Sequence, residues 1–319
     1  MPAEETVTVL MGGSEALRRE VAAVSPRIRL VAPEEVEANP ERLAEIEIAY
    51  GGIRPEWRRQ ATRLRWLQSS GAGMNGLLTP EVIESDLIIT NASGIHAAPI
   101  TEHMFGQLLQ LTRQLHRAWE QQQAHRWKSA PMRTGLRLLS GMTLGVLGVG
   151  AIGGHAAHVG RAFGMRVLGL RRTGAPHPDV ERMYRPDERL EFFAQLDVCM
   201  NSLPLTPRTR RFISQDEFAA MKPGAIVLNT GRGATIDTEA LLHALGEGTL
   251  GGALLDVTDP EPLPEDHPLW DMENVHITPH YSGSHPTYDE RAGAIFLDNL
   301  RRYLAGEPLR NLVDKQEGY

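Results

Sequence analysis

Residues 143–153 read Thr143-Leu-Gly-Val-Leu-Gly148-Val-Gly150-Ala-Ile-Gly153, and they begin a recognisable βαβ unit. The first five residues form an apolar run of strand length, which breaks at Gly148 and resumes with helical spacing as far as Phe163. A second apolar run covers residues 165–170. Glycine-rich turns are common in loops, but a G-x-G-x-x-G turn between a strand and a helix favours dinucleotide binding over a plain turn.

Each part of this turn has a predicted task. Gly148 permits the sharp turn, Gly150 lets the backbone approach a pyrophosphate, and Gly153 allows close packing of the helix on the sheet. Ala151 and Ile152 open the helix, whose N-terminal N–H groups favour negative charge. We therefore expect these five residues to bind the pyrophosphate of a dinucleotide.

The end of the second strand indicates which dinucleotide is preferred. NAD-binding proteins of this type place an acidic residue there to bind the ribose 2′-hydroxyl. This chain has Arg171, Arg172 and Thr173 instead. Guanidinium groups pair well with a 2′-phosphate, so the sequence favours NADP as the cofactor. NAD stays possible, because two arginines on a loop can also be solvated charges.

Composition narrows the class of protein. The chain has 319 residues, enough for two domains, and its net charge of −7 without a long basic run argues against nucleic-acid binding. No apolar run is long enough to cross a bilayer, and the acidic N-terminus lacks the pattern of a signal peptide, so we expect a cytoplasmic protein. The single cysteine, Cys199, is predicted to be buried and inert, and it can build neither a disulfide framework nor a cysteine metal site.

The rest of the chain repeats an α/β rhythm, which predicts parallel sheets covered by helices. A long helical pattern from about residue 99 to 124 looks like a connection between two domains, and residues 125–140 are predicted to form a loop. A final helix, at about residues 287–304, would return to the first domain. The predicted domains are residues 1–98 with 290–319, and residues 99–289. Further strands are predicted at residues 7–10, 28–31, 46–50, 64–68, 87–90, 198–202, 225–229, 253–257 and 275–278.

One loop of the first half, Ser69-Ser-Gly71-Ala-Gly73-Met-Asn75-Gly76, directly follows a predicted strand. Consecutive small residues can turn several backbone N–H groups toward one anion, such as a substrate carboxylate. A flexible turn is the alternative interpretation of the same residues.

Four polar residues follow strands of the second half: Arg232, Asp256, Glu261 and His280. Ligands of open α/β sheets bind beside these strand ends. An arginine can hold a carboxylate and polarise the adjoining carbonyl, while a histidine supplies a proton near neutral pH and a carboxylate orients the histidine. Such a set suits hydride transfer to a carbonyl without a metal, although each residue could equally be an ordinary surface group.

Several spaced motifs together resemble one family, the D-isomer-specific 2-hydroxyacid dehydrogenases. The resemblance extends over nearly the whole chain. Its motifs are Ser70-Gly-Ala-Gly73, Thr101-Glu-His103, Gly148–Gly153, Leu203-Pro-Leu-Thr-Pro-Arg-Thr209, Asn229-Thr-Gly-Arg232-Gly233, Leu255-Asp256-Val, Glu261-Pro, Thr278-Pro-His280 and the closing Asn299-Leu-Arg-Arg-Tyr-Leu-Ala-Gly-Glu-Pro-Leu.

The resemblance implies roles for individual residues. Arg232 would bind substrate, His280 would be the general acid/base, and Glu261 would be its partner. The amides of Ala72 and Gly73 would hold the substrate carboxylate. Further cofactor contacts are implied for Leu203, Pro204, Thr209, Thr230, Gly231, Asp256 and Gly283. The family pattern also implies a Rossmann-type cofactor domain and a flavodoxin-like substrate domain joined by hinge helices, a cleft that closes on binding, and a homodimer.

Two departures refine the prediction. Arg171-Arg-Thr173 resembles the NADPH-using glyoxylate and hydroxypyruvate reductases, so the predicted function is a 2-oxoacid reductase acting on such small substrates. Ile100-Thr101 stands where the family commonly has small aliphatic residues. A phosphoglycerate or phosphite dehydrogenase is the alternative on the same fold, and a nucleotide-sensing, corepressor-like binding module is an alternative of another class.

Overall fold

The computed structural model describes residues 5–74 and 76–318, so Asn75 of the predicted anion loop lies outside the described residues. The chain forms two compact units. One consists of the chain up to Ile95 and the segment that begins at His285, and the other is His96–Ser284. Among the described residues, no helix is long and apolar enough to span a membrane.

The second unit is built on seven parallel strands. Its strands are β6 (Thr143–Leu147), β7 (Arg166–Leu170), β8 (Arg182–Tyr184), β9 (Val198–Asn201), β10 (Ala225–Asn229), β11 (Leu250–Leu255) and β12 (Val275–Ile277). Their order in the sheet is β12-β11-β10-β9-β6-β7-β8. Six of the strands reproduce the Rossmann order, which reverses direction between β6 and β9. The predicted fold class of this part is therefore confirmed.

The helices of this unit are α5 (Ala97–Thr112), α6 (Leu115–Gln123), α7 (Ala130–Arg133), α8 (Ala151–Ala162), α9 (Arg189–Phe193), α10 (Gln215–Ala220) and α11 (Thr238–Gly246). α5 and α8 pack against one face of the sheet, and α9, α10 and α11 pack against the other. The prediction of a single helix over residues 99–124 is wrong, because the helix is interrupted between α5 and α6. Gln114 adopts a left-handed conformation with a φ of 53°, and its buried side-chain amide donates to the carbonyl of Thr134 at 2.6 Å. α7 lies within the segment that was predicted to be a loop.

The first unit has five parallel strands in the order β2-β1-β3-β4-β5, which is the flavodoxin-like order. They are β1 (Val7–Met11), β2 (Ile28–Val31), β3 (Ile48–Tyr50), β4 (Trp66–Gln68) and β5 (Ile88–Thr90). The helices are α1 (Glu15–Ala23), α2 (Pro33–Ala38), α3 (Pro55–Gln60), α4 (Pro80–Glu84) and α12 (Tyr288–Ala305). Ser14 caps α1, because its hydroxyl accepts the N–H of Leu17 at 3.2 Å.

α12 belongs to the core of the first unit. Its residue Phe296 is fully buried, with its ring 4.5 Å from that of Tyr50 and 5.5 Å from that of Trp66. Tyr303 stacks on Trp66 at 5.3 Å. The last part of the chain therefore completes the packing of the domain formed by the first ninety-five residues.

Candidate active site

The glycine turn lies at the point where the strand order of the second unit reverses. Gly148 follows β6 with a φ of +83°, a conformation that favours glycine. The hydroxyl of Ser202, which follows β9, donates to the carbonyls of Leu147 at 3.0 Å and Gly148 at 2.9 Å. This edge of an open α/β sheet is where such folds bind their ligands.

The turn fits a dinucleotide pyrophosphate. A Cβ atom on Gly153 would lie 2.3 Å from the carbonyl oxygen of Gly148, so α8 can approach β6 this closely only without a side chain. A Cβ on Gly150 would meet no protein atom within 4 Å. No side chain in the described part of the chain caps α8, which begins with Ala151 and Ile152. Their N–H groups are therefore placed to receive an anion in the open space beside Gly150.

The two arginines after β7 have different surroundings. Arg171 donates three of its five N–H groups to backbone carbonyls, to Ala175 at 2.7 Å, Pro176 at 2.9 Å and Val149 at 3.1 Å. Its guanidinium group thereby shapes the loop. Arg172 and Thr173 are exposed on that loop. Sequence reasoning gave both arginines the same role. In the structure, Arg171 shapes the loop, whereas Arg172 lies on the surface.

The structure brings Arg232, Glu261 and His280 together. Nδ1 of His280 lies 2.6 Å from Oε1 of Glu261. A carboxylate accepts, so Nδ1 carries a proton and Nε2 is the ring nitrogen left for a substrate. Burial lowers the pKa of Arg232, and the neighbouring charge of Glu261 acts in the opposite direction. All three side chains belong to the second unit and follow β10, β11 and β12.

Asp256 anchors the loop that carries His280. The aspartate is only 2% exposed, and its carboxylate accepts four hydrogen bonds. The donors are the Thr278 hydroxyl at 2.7 Å, the Tyr281 N–H at 3.2 Å, and the N–H and hydroxyl of Ser282. The Asp256 carbonyl also accepts the N–H of His280 at 2.9 Å. His280 is held with a φ of 49°, which is uncommon outside glycine. A contact between Asp256 and the cofactor stays a prediction. The hydrogen bonds show that Asp256 holds the His280 loop in place.

His103 extends this network, and sequence reasoning assigned it no role. Its Nε2 lies 3.0 Å from the Thr278 hydroxyl oxygen. Because the Thr278 proton is donated to Asp256, His103 must donate its own proton to Thr278. The only signal in the sequence was its place in Thr101-Glu-His103. Burial lowers the pKa of His103, although the charge of Asp256 opposes the shift.

His103 should make stability depend on pH. Its pKa is lower in the folded protein than in the unfolded chain, so the free energy of unfolding falls as pH drops from about 6.5 toward the folded pKa. His103→Gln keeps an N–H donor but does not titrate. Melting temperatures measured from pH 8 to pH 5 should therefore fall less steeply in His103→Gln than in the wild type. Parallel curves would contradict this expectation.

The other residues implied as cofactor contacts lie at ends of the central strands or in the loops after them. A Cβ on Gly231 would lie 2.6 Å from the carbonyl oxygen of Leu203, so the segments after β9 and β10 adjoin. Thr209 donates its hydroxyl to the Pro204 carbonyl at 2.6 Å. Thr230 is buried after β10. A further pair, Gly283 and His96, is close, since a Cβ on Gly283 would lie 2.8 Å from the His96 ring.

A buried amide network beneath these loops was not predicted. Asn201 donates to the side-chain oxygens of Asn229 at 3.0 Å and Thr235 at 2.6 Å. The Oδ1 atom of Asn201 accepts the N–H of Leu203 at 3.1 Å, and that of Asn229 accepts the N–H of Gly231 at 3.1 Å. These bonds set the backbone at two predicted cofactor contacts. Strand-end asparagines gave no signal that separates them from ordinary turn residues.

Ala72 and Gly73 lie in the loop that follows β4 in the first unit. The Ala72 carbonyl accepts a hydrogen bond from Asn91 at 3.0 Å, and the Gly71 carbonyl accepts one from the N–H of Ala92 at 3.0 Å.

The described residues contain no cluster of three or more His, Cys, Asp or Glu side chains that could hold a metal ion. Cys199 is buried, and burial raises the pKa of its thiol.

The class of protein is that of the nicotinamide-dependent dehydrogenases. It is defined by a sheet with Rossmann strand order, a glycine turn where that order reverses, and a histidine–carboxylate pair beside an arginine. Comparison with known proteins specifies the family. Residues 105–282 match the model of the D-isomer specific 2-hydroxyacid dehydrogenase, NAD binding domain. The chain belongs to the D-isomer-specific 2-hydroxyacid dehydrogenase family, whose members are NAD(P)-dependent oxidoreductases acting on the hydroxyl group of 2-hydroxyacids.

Individual relatives agree with this assignment. The chain is 34% identical to glyoxylate/hydroxypyruvate reductase B of Pectobacterium carotovorum, over 83% of this chain and 84% of that protein. A family protein from Aeromonas salmonicida has a similar structure, with a TM-score of 0.84, 36% identity, and coverage of 98% and 100% of the two chains. The NADPH-dependent glyoxylate/hydroxypyruvate reductase of Sinorhizobium meliloti, in complex with NADP and sulfate, has a TM-score of 0.82, 28% identity, and coverage of 99% and 100%.

Proposed function

We propose that this protein reduces a small 2-oxoacid, such as glyoxylate or hydroxypyruvate, and prefers NADPH. The observation that carries the proposal is the 2.6 Å contact between His280 and Glu261 beside Arg232. These groups supply a proton donor and a carboxylate-binding cation, which a 2-oxoacid needs when its carbonyl is reduced.

The residues divide the work as follows. A bound reduced nicotinamide supplies the hydride. Arg232 binds the substrate and polarises its carbonyl. The family resemblance assigns the amides of Ala72 and Gly73 to the substrate carboxylate. His280 donates a proton from Nε2 to the oxygen that becomes the hydroxyl group. Glu261 keeps the ring oriented by accepting the proton of Nδ1.

The NADP preference rests on Arg172 and Thr173, while Arg171 is assigned to shaping their loop. The reductase from Sinorhizobium meliloti, which carries NADP, supports this choice by analogy. Cytoplasmic localisation and a homodimer stay predictions that derive from the sequence.

Arg172→Ser is expected to raise the KM for NADPH roughly ten- to a hundredfold and to leave the KM for NADH nearly unchanged, because one charge-assisted bond to a 2′-phosphate is lost. Arg171→Ser is the contrasting variant. It removes the loop's internal hydrogen bonds, so we expect both cofactors to bind less tightly and the melting temperature to fall. Initial rates with both cofactors make the comparison. An equal change for NADPH and NADH in Arg172→Ser would refute the assignment.

The proposed activity is tested by loss of absorbance of the reduced nicotinamide, with NADPH and NADH run in parallel. Glyoxylate, hydroxypyruvate and pyruvate are the substrates, and 3-phosphoglycerate and phosphite with the oxidised cofactors test the alternatives. Fastest turnover of NADPH with glyoxylate or hydroxypyruvate is expected. Faster oxidation of 3-phosphoglycerate or phosphite than reduction of any 2-oxoacid would overturn the proposed substrate class.

A further inference from the structure

The loop that contains Ala72 and Gly73 is fixed along one side of its backbone. The carbonyls of four consecutive residues, 69 to 72, each accept a hydrogen bond from the first unit. The donors, in order, are the Gln68 side chain at 3.0 Å, the Tyr288 hydroxyl at 3.0 Å, the Ala92 N–H at 3.0 Å and the Asn91 side chain at 3.0 Å. Without these bonds, peptides in a loop made of small residues would be free to turn over.

Peptide geometry transfers this constraint to the N–H groups. A carbonyl and the N–H of the next residue belong to one planar trans peptide and point in opposite directions. The bond from Ala92 to the Gly71 carbonyl therefore orients the N–H of Ala72. In the same way, the bond from Asn91 to the Ala72 carbonyl orients the N–H of Gly73. Neither of these two N–H groups has a partner among the described residues.

Asn91 is itself held on all sides. It is 7% exposed, and its Oδ1 accepts the N–H of Ser93 at 3.0 Å. Because the Ala72 carbonyl can only accept and the Ser93 N–H can only donate, the orientation of the Asn91 amide is determined. Asn311, in the tail after α12, accepts the N–H of Asn91 and donates to its carbonyl, both at 3.1 Å. The Asn91 side chain cannot turn away without breaking both of these side-chain bonds, and Asn311 holds the Asn91 backbone in place.

We propose that Asn91 is a positioning residue for the substrate: its side chain fixes the Ala72–Gly73 peptide so that the N–H of Gly73 is ready to bind the carboxylate of the 2-oxoacid. The inference rests on the proposed function. It adds that the carboxylate-binding amide is preorganised by a residue that does not itself touch the substrate.

Two variants of Asn91 test the proposal. Asn91→Asp has the same shape and still accepts the Ser93 N–H, but it places an oxygen against the Ala72 carbonyl. Asn91→Ala removes the donor without adding charge. Both should raise the KM for glyoxylate and the dissociation constant of oxamate roughly ten- to a hundredfold. We expect kcat to change less than about threefold, and NADPH binding, followed by its fluorescence, to stay as in the wild type.

The matched control lies in the same loop. Tyr288→Phe removes the hydrogen bond to the Ser70 carbonyl. That carbonyl shares a peptide with the N–H of Gly71, which donates to the Ser69 hydroxyl at 3.2 Å. That peptide carries neither proposed substrate amide, so the KM for glyoxylate should stay within about threefold of the wild type. Asn39→Asp, at an exposed turn of the same unit, controls for the added charge.

The outcomes separate the two proposals. A wild-type enzyme that reduces no 2-oxoacid overturns the proposed function. An active wild type whose KM is unchanged in both Asn91 variants overturns the positioning role alone. A rise in Asn91→Asp without one in Asn91→Ala assigns the effect to charge and also overturns it. Equal rises in Tyr288→Phe and Asn91→Ala would show general loosening of the loop, which again contradicts the proposal.

Discussion

His280→Gln is expected to lower kcat for 2-oxoacid reduction by roughly a hundred- to ten-thousandfold, because the carbonyl oxygen loses its proton donor. The glutamine side chain is neutral and of similar size, so the loop anchored on Asp256 should keep its hydrogen bonds. NADPH affinity should therefore stay within about twofold of the wild type. Stopped-flow turnover together with fluorescence titration of NADPH measures the two quantities separately.

Glu261→Gln tests the second member of the pair. It keeps an oxygen that can accept the Nδ1 proton of His280, but it replaces a charge-assisted hydrogen bond with a weaker neutral one. We expect a smaller loss of kcat, roughly ten- to a hundredfold, because the ring is oriented less firmly. His243→Gln, an exposed histidine on α11 of the same unit, is the control and should behave like the wild type. Wild-type turnover in His280→Gln would refute the proposed acid.

Gly153→Ala and Gly150→Ala are expected to affect different properties: the first should lower stability, and the second should weaken NADPH binding. A Cβ on Gly153 would lie 2.3 Å from the Gly148 carbonyl and 2.9 Å from Val146, so α8 must move away from β6. We expect the free energy of unfolding to fall by about 1–3 kcal/mol, as at other overpacked sites, and the melting temperature to fall with it. A Cβ on Gly150 meets no protein atom within 4 Å.

Gly150→Ala should therefore melt like the wild type but bind NADPH at least about tenfold more weakly, because the methyl group occupies the space proposed for the pyrophosphate. Gly106→Ala is the matched control, since this residue lies within α5 with open space around it. It should leave binding unchanged and stabilise the fold slightly. The glycine assignments would be wrong if Gly150→Ala bound NADPH normally or Gly153→Ala melted at the wild-type temperature.

Local patterns account for what sequence reasoning predicted correctly. Strand-length apolar runs separated by helical periods predicted the α/β class, which the two parallel sheets confirm. The same patterns placed Arg232 and His280 just beyond strands, and neighbouring parallel strands end at one edge. Strand β8 escaped prediction, because it has only three residues and begins with Arg182, whose guanidinium lies over the Tyr184 ring. Short strands of mixed polarity carry too little periodic signal.

The βαβ unit with its glycine turn, the α/β class and the residue types at the strand ends could be predicted from the sequence, because these features depend on neighbours along the chain. Which polar groups meet became clear only from the folded chain. It turned Arg171 toward three carbonyls, surrounded Asp256 with four donors, and set Asn91 against Ala72. Apart from the bonds of Arg171 to Ala175 and Pro176, these bonds join segments at least 19 residues apart. A buried polar group takes whichever partner the packing of the strands brings within reach.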